Sequence, residues 1–258
     1  MKILKSFALG ALLASAAGVA MAQDTEVLRI GTEGAYAPFN YIGPDGELMG
    51  FDIDIAKALC EEMNRTCEFV TQDWDGMIPG LLAERYDAIM ASMSITPERL
   101  ETIDFSEKYY NTPPAVAVPN DSTIAGVTAA DLAGIVMGAQ VSTTFSNFAE
   151  ETFTDTEVRL YPTAEEYQAE LASGRIDAAI DDVVVLSEWL ATEEGSCCKI
   201  LGTLAPPEEI FGPGIGVGVR QGEEELRDAF SAAILAIREN GVYEEINNKY
   251  FNFDVYGE

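Results

Sequence analysis

The chain has 258 residues, 48% hydrophobic and 23% charged, with 15 basic residues against 44 acidic ones for a formal charge of −29. A field of that sign makes nucleic acid and anionic lipid poor partners, and the complete lack of histidine excludes any mechanism built on an imidazole base or ligand. The length suffices for one large domain or two of ordinary size.

At the start, Lys2 and Lys5 precede the apolar stretch from Phe7 to Ala20, and Ala20-Met21-Ala22 offers small residues before Gln23. That three-part pattern predicts a secretory signal peptide over residues 1–22, cleaved after Ala22. The apolar run is shorter than the ~20 residues a bilayer span needs. No cysteine follows the cleavage site, which argues against a lipid anchor. The mature protein is therefore expected free in the periplasm, where disulfides persist.

From Val27 onward, strand-like and helix-like runs alternate, the pattern of an α/β protein with largely parallel sheets. Val27 to Gly31 predicts a strand; Phe51 to Asn64 predicts a helix, with Ile55, Leu59 and Met63 at helical spacing. Glu68 to Thr71 reads as a strand, Trp74 to Glu84 as a helix and Asp87 to Met90 as a strand. The segment Thr112-Pro113-Pro114-Ala115-Val116-Ala117-Val118 then reads as an extended, proline-stiffened crossing. A second series follows: strand Ile135 to Gly138, helix Thr143 to Glu151, strand Val158 to Tyr161, helix Thr163 to Ala172, strand Ala178 to Ile180 and helix Asp182 to Ala191. Thr163 with Glu166 predicts a capping box. Phe211 to Val219 reads as a second crossing, and the helices Glu223 to Asn240 and Val242 to Lys249 close the chain. Two crossings imply a second lobe inserted into the first.

Within the second crossing, the glycines from Gly212 to Gly218 lack dinucleotide spacing, because Val217 or Val219 holds the third glycine position. They read as a strand with close backbone approach. Four cysteines remain to be placed. Cys60, near a helix end, and Cys67, at the next strand, would close a short loop worth roughly 2 to 3 kcal/mol, and a bridge is expected. Cys197 and Cys198 are neighbours whose Cα atoms lie about 3.8 Å apart, inside the usual ~4.4 Å lower bound for a bridged pair. Either a strained vicinal bridge or two thiols fits. A zinc site does not fit this spacing, and no cofactor is expected.

An ordered set of motifs runs through nearly the whole mature chain: Gly31-Thr32-Glu33-Gly34-Ala35-Tyr36-Ala37-Pro38-Phe39, Gly50-Phe51-Asp52-Ile53-Asp54, Trp74-Asp75-Gly76-Met77-Ile78-Pro79, and Tyr86 to Thr96. Arg99 before Ile103-Asp104-Phe105-Ser106, Gly174-Arg175-Ile176-Asp177-Ala178 and Lys249-Tyr250-Phe251 complete it. As a set it resembles the polar-amino-acid solute-binding proteins of ABC importers, solute-binding family 3, and in particular the lysine-arginine-ornithine, histidine and opine receptors. The resemblance implies a periplasmic-binding-protein-like (type II) Venus-flytrap fold, α/β, with two lobes joined by two crossing strands. Lobe one would comprise residues 23–112 and 213–258, and lobe two residues 113–212. It further implies a monomer that captures a small amino acid by hinge closure and delivers it to an ABC permease complex in the inner membrane.

Site residues follow by position. An amino acid carries a carboxylate and an ammonium on one carbon, so a receptor needs a fixed guanidinium and a fixed carboxylate. Arg99 matches the first role, with Ser94, Thr143 and Thr144 supplying further donors, and Asp182 matches the second. Glu33, Tyr36, Trp74, Ala91, Ser92, Gln140 and Phe145 would form the side-chain pocket. There Glu33 and the two aromatic faces favour a cation. Each has a plainer role in isolation: a surface ion pair for Arg99, a helix cap for Asp182, core packing for Trp74, a solvated acid for Glu33. Ala91 and Phe145 depart from the lysine-arginine-ornithine pattern, which has a serine and a polar residue there. The ligand is thus expected to be arginine, lysine, ornithine or histidine, or an opine. A cyclohexadienyl dehydratase-like enzyme is the alternative on the same scaffold, with Glu33 and Asp182 as acid and base.

Overall fold

The computed structural model describes residues 26–205 and 207–257, so the predicted signal peptide lies outside the described residues. The first unit begins with β1 (Val27–Thr32), the short strands β2 (Ala35–Tyr36), β3 (Asn40–Ile42) and β4 (Leu48–Met49), helix α1 (Phe51–Glu62) and β5 (Thr66–Thr71). After a 3₁₀ turn at Trp74–Gly76 come α2 (Met77–Leu82), β6 (Ala88–Ile89), α3 (Pro97–Leu100) and β7 (Ile103–Tyr110). The chain then crosses into β8 (Pro114–Pro119), β9 (Val136–Gln140), α4 (Thr144–Thr152), β10 (Glu157–Tyr161) and α5 (Ala164–Ala172). It continues through β11 (Ala178–Asp182), α6 (Val183–Leu190), β12 (Cys198–Thr203) and α7 (Glu208–Phe211), and returns as β13 (Ile215–Arg220), α8 (Glu224–Glu239) and α9 (Val242–Tyr250).

Two five-stranded sheets result, ordered β5-β1-β6-β13-β7 and β10-β9-β11-β8-β12. In each, four strands run one way and one that has just crossed over runs against them: β13 between β6 and β7, β8 between β11 and β12. The register of β8 on β11 sets Asp181 opposite Ala115 and Asp182 opposite Pro114. An incoming crossing thus meets the end of a parallel strand, and that junction becomes one wall of the site described below.

Helix α1 buries Phe51, Ile55 and Leu59 against the first sheet, each wholly inaccessible. Phe51 meets Phe39, Tyr110, Tyr243 and Phe251 edge-on, and Phe39 stacks on Tyr110 with centroids 4.5 Å apart. Full burial of a side chain of this size contributes about 1.5–3 kcal/mol, so the late Tyr243 and Phe251 bind the end of the chain to its beginning. The second sheet packs Val116, Val118, Met137, Ala139 and Ile180 beneath Phe148 and Phe153 of the α4 region.

Several local details differ from expectation. The single helix predicted from Trp74 to Glu84 divides into the 3₁₀ turn and α2, because Pro79 has no N–H to donate to the Asp75 carbonyl and its ring crowds that carbonyl. Thr163 caps α5 by accepting from the Glu166 amide, but Glu166 is exposed and no return bond from its side chain forms among the described residues. A reciprocal box forms instead at α4, between Thr143 and Ser146. Phe211, expected in the second crossing, ends α7. Cys60 and Cys67 are bridged as expected, and Cys197 and Cys198, left open by their adjacency, are bridged to each other. In the returning segment Gly212 has φ +69°, and a Cβ there would run into the Ile95 carbonyl. Only glycine meets both conditions.

Candidate functional site

A cavity of about 760 Å³ lies between the two sheets, within the size range of small-molecule pockets. All twelve residues singled out in the sequence line it: Glu33, Tyr36, Trp74, Ala91, Ser92, Ser94 and Arg99 from one side, Gln140, Thr143, Thr144, Phe145 and Asp182 from the other. Their placement has one cause. Glu33 follows β1, Trp74 follows β5, Ala91 to Ser94 follow β6, Gln140 ends β9 and Asp182 ends β11. Each stands at the carboxyl end of a parallel strand, where open α/β sheets present their ligand-binding crevices.

The cationic corner is built on α3. Thr96 caps that short helix by accepting from the Arg99 amide at 3.2 Å. The Arg99 guanidinium donates to the Ser94 carbonyl at 3.0 Å and to the Ser142 carbonyl at 3.4 Å, and sits 5.4 Å from the Trp74 ring centroid. No carboxylate pairs with it among the described residues. Part of the side chain still meets solvent, but burial of the guanidinium pushes its pKa down to about 10. Nearby, the Ser94 and Thr144 hydroxyls lie 3.4 Å apart, and the amino end of α4 adds partial positive charge. A cation held by carbonyls alone, beside hydroxyls and a helix amino terminus, is equipped to take a carboxylate.

Ser142 was not anticipated. It adopts φ 58°, a left-handed conformation uncommon for a residue with a Cβ, and its carbonyl accepts from both Trp74 Nε1 (3.1 Å) and Arg99. Ser92 is left-handed as well, at φ 57°. Its hydroxyl donates to Asp52 at 2.9 Å. Asp52 is buried and also accepts from Asn40 and Tyr109, each at 2.9 Å. Burial pushes Asp52 up to about 6. The motif that carries Asp52 was visible in the sequence, whereas its service as an anchor for Ser92 was not.

The anionic side has two carboxyls in the cavity. Asp182 caps α6, accepting from the Val184 amide at 2.7 Å with one oxygen and from the Thr112 hydroxyl with the other. Burial pushes it up to about 7. An ionised carboxylate offers about four lone-pair sites, so the cap leaves room for an ammonium. Helix cap and cavity wall are one residue here. Glu33 accepts from Gln140 Nε2 at 2.6 Å, and Gln140 also donates to the Pro162 carbonyl at 3.0 Å. Burial pushes Glu33 up to about 7 as well.

Tyr36 reaches past the cavity to donate to Asp181 at 2.5 Å. Phe145 packs on Phe211 with centroids 5.4 Å apart, adding an apolar wall that Leu204 extends. Lys108 and Glu208 also border the cavity, and Lys108 lies 4.7 Å from the Tyr256 centroid. Neither charge was foreseen, since each sits outside the motifs and beside a crossing.

The profile of the bacterial extracellular solute-binding proteins, family 3, matches residues 28–253. The chain is 41% identical over 252 residues to the L-arginine-binding protein of Pseudomonas aeruginosa, covering 96% of this chain and 97% of that protein. It is 40% identical over 246 residues to the histidine-binding periplasmic protein of Salmonella typhimurium, covering 94% of each. The solved structure of an ancestral arginine-binding protein bound to arginine superposes with a TM-score of 0.82 at 32% identity, over 88% of this chain and 98% of that one.

Proposed function

The chain belongs to the bacterial extracellular solute-binding proteins of family 3, and from that membership we propose that it is the amino-acid receptor of an ABC importer with a cationic amino acid as its ligand. The fold is the two-lobed α/β fold of periplasmic amino-acid-binding proteins. The charge count of the cavity carries the reading. Arginine, lysine or ornithine brings one more cation than carboxylates; the cavity lining has one more carboxyl than cations, with Glu33, Asp182 and Glu208 against Arg99 and Lys108. Arg99, Ser94 and the Thr143–Thr144 pair take the ligand carboxylate in this reading, and Asp182 takes the ammonium. Glu33 and Gln140 take the end of the side chain, which runs between Tyr36, Trp74, Ala91, Ser92 and Phe145. Arginine and histidine are what the related proteins named above bind.

The chain is exported and cleaved after Ala22, works in the periplasm as a monomer, and hands its ligand to the permease complex. Lobe one comprises residues 23–112 and 213–258, and lobe two residues 113–212. The ligand bridges the lobes and stabilises the closed state through contacts it makes only there. No bond is broken, and the related proteins are named for binding, which leaves the dehydratase alternative with less support.

A thermal-shift panel of arginine, lysine, ornithine, histidine, octopine and glutamate tests the reading. Ligand at 100 times its dissociation constant adds ~2.7 kcal/mol, which for a chain of this length is a rise of about 5–11 °C. The cationic compounds should give it. Stabilisation by glutamate alone would refute the role of Glu33, and turnover of prephenate or arogenate would establish the enzyme instead.

A further inference from the structure

Among the described residues, six polar contacts join the lobes across the cavity. Glu33 meets Gln140, Trp74 and Arg99 both reach the Ser142 carbonyl, Ser94 meets Thr144, Thr112 meets Asp182, and Tyr36 meets Asp181. In the last of these alone, a cavity side chain binds a side chain that lies outside the cavity wall. Asp181 is 1% exposed, next to last in β11, and belongs to none of the motifs discussed above.

We propose that Asp181 is a positioning residue that latches the two lobes and ties their closure to the ligand clamp; the inference rests on the amino-acid-receptor reading above. Asp181 has three donors: the Tyr36 hydroxyl at 2.5 Å, the Tyr167 hydroxyl, and the Asp182 amide at 2.7 Å. Tyr167 lies on α5 and Asp182 on β11, both in the lobe that carries Asp181, so these two bonds survive any rigid movement of the lobes. Tyr36 lies on β2 of the other lobe. Parting the lobes therefore strips one donor from a desolvated carboxylate and leaves the other two in place. A hydrogen bond to a charged group is among the stronger kinds, and a buried acceptor left short of donors is costly. Closing restores it whatever side chain the ligand carries.

Both ends of the latch are tied to the clamp. On one side, the Asp181 oxygen that accepts from Tyr36 also accepts from the Asp182 amide, so the latch holds the backbone of the residue assigned to the ligand ammonium. On the other, Tyr36 pairs with Asn40, whose amide donates to Asp52, which in turn holds Ser92 in the cavity. The latch thus acts on affinity through closure and leaves discrimination between side chains to Glu33.

The test uses the mature protein with Asp181→Asn and Tyr36→Phe, singly and together, and measures dissociation constants and stopped-flow dissociation rates for L-arginine and L-lysine. Asp181→Asn should weaken both ligands by the same factor, roughly tenfold. The loss should appear as faster dissociation, with the arginine-to-lysine ratio unchanged. Asparagine keeps an acceptor oxygen for Tyr36 but removes the charge that strengthens the bond, whereas Tyr36→Phe removes the bond itself, so the double variant should lose no more than Tyr36→Phe alone. Tyr167→Phe takes a donor from the same carboxylate within one lobe; it should lower the unfolding temperature and leave the dissociation rate at its wild-type value. If Asp181→Asn does not fold, Tyr36→Phe carries the test by its dissociation rate and ligand ratio. Wild-type dissociation in Asp181→Asn, additive losses in the double variant or a changed ligand ratio would each overturn the latch. A wild-type protein that binds neither ligand would overturn the receptor reading, and the latch with it.

Discussion

Lowering the pH from 7.5 to 5.5 should weaken arginine binding steeply while making the ligand-free protein more stable. Burial holds Glu33 and Asp182 each at about 7, above the ordinary carboxyl range. Both must be ionised to receive the guanidinium and the ammonium. The ionised fraction of a group whose pKa is about 7 falls about 25-fold between those two pH values, so two such groups reduce the affinity by several hundredfold and one reduces it by about 25-fold. Folding has the opposite sign. A carboxyl whose pKa is raised in the folded state binds more protons than the unfolded chain between its unfolded value and about 7. It contributes stability at low pH that is lost as the pH rises through about 7. Asp52 and Asp181, each pushed up to about 6 by burial, add to that trend at slightly lower pH. Calorimetric titration with arginine at the two pH values, for wild type and Glu33→Gln, reads the first effect, and thermal unfolding without ligand reads the second. Glu33→Gln should bind arginine more weakly at pH 7.5 and keep only the roughly 25-fold dependence due to Asp182. An arginine affinity independent of pH, or equal slopes in the two proteins, would refute the assignment of Glu33 and Asp182 to the two cations.

Two further outcomes follow from named contacts. Arg99→Met keeps an unbranched apolar stem but removes the cation assigned to the ligand carboxylate, so binding of every amino acid should fall at least a hundredfold, the loss of a charge-assisted pair being worth roughly 3 kcal/mol or more; a calorimetric series across the ligand panel reads this. Gly212→Ala would drive a Cβ into the Ile95 carbonyl at a left-handed position, disturbing the strand beside Ser94, to which Gly214 is tied through Ile95 (2.9 Å). It should lower both the unfolding temperature and the affinity, and by more than Gly46→Ala, which shares the left-handed strain (φ +85°) but meets nothing within 4 Å and should leave the affinity unchanged.

The alternation of strands and helices was plain in the chain because strand and helix periods differ, and the structure departs from it mainly at ends and at the 3₁₀ turn Trp74–Gly76 ahead of Pro79. The cavity residues were legible for a related reason. Glu33, Ser92, Gln140 and Asp182 all close parallel strands, so motif position and strand ends point to the same places. What could not be read were contacts between segments distant along the chain. Nothing local marks Asp181 as the partner of Tyr36, 145 residues away, and Asp52 looks like one more acid at the start of a helix until Ser92, Tyr109 and Asn40 converge on it. Left-handed Ser92 and Ser142 were hidden likewise, since serine has no strong preference for that conformation.

The place of β13 has a consequence for how the molecule is assembled. β13 runs between β6 and β7 in the middle of the first sheet, yet it is among the last segments of the chain. Every strand of the second sheet, from β8 to β12, lies on one unbroken stretch that precedes it. A chain that emerges amino end first can complete its second sheet while the first is still split into β5-β1-β6 and a lone β7. Only when Ile215–Arg220 arrives are the two parts joined, with α8 and α9 following to cover them. The lobe that begins the sequence is thus the last to be finished, and the segment that finishes it also fixes Ser94 in the ligand cavity through the Ser94–Ile215 bridge.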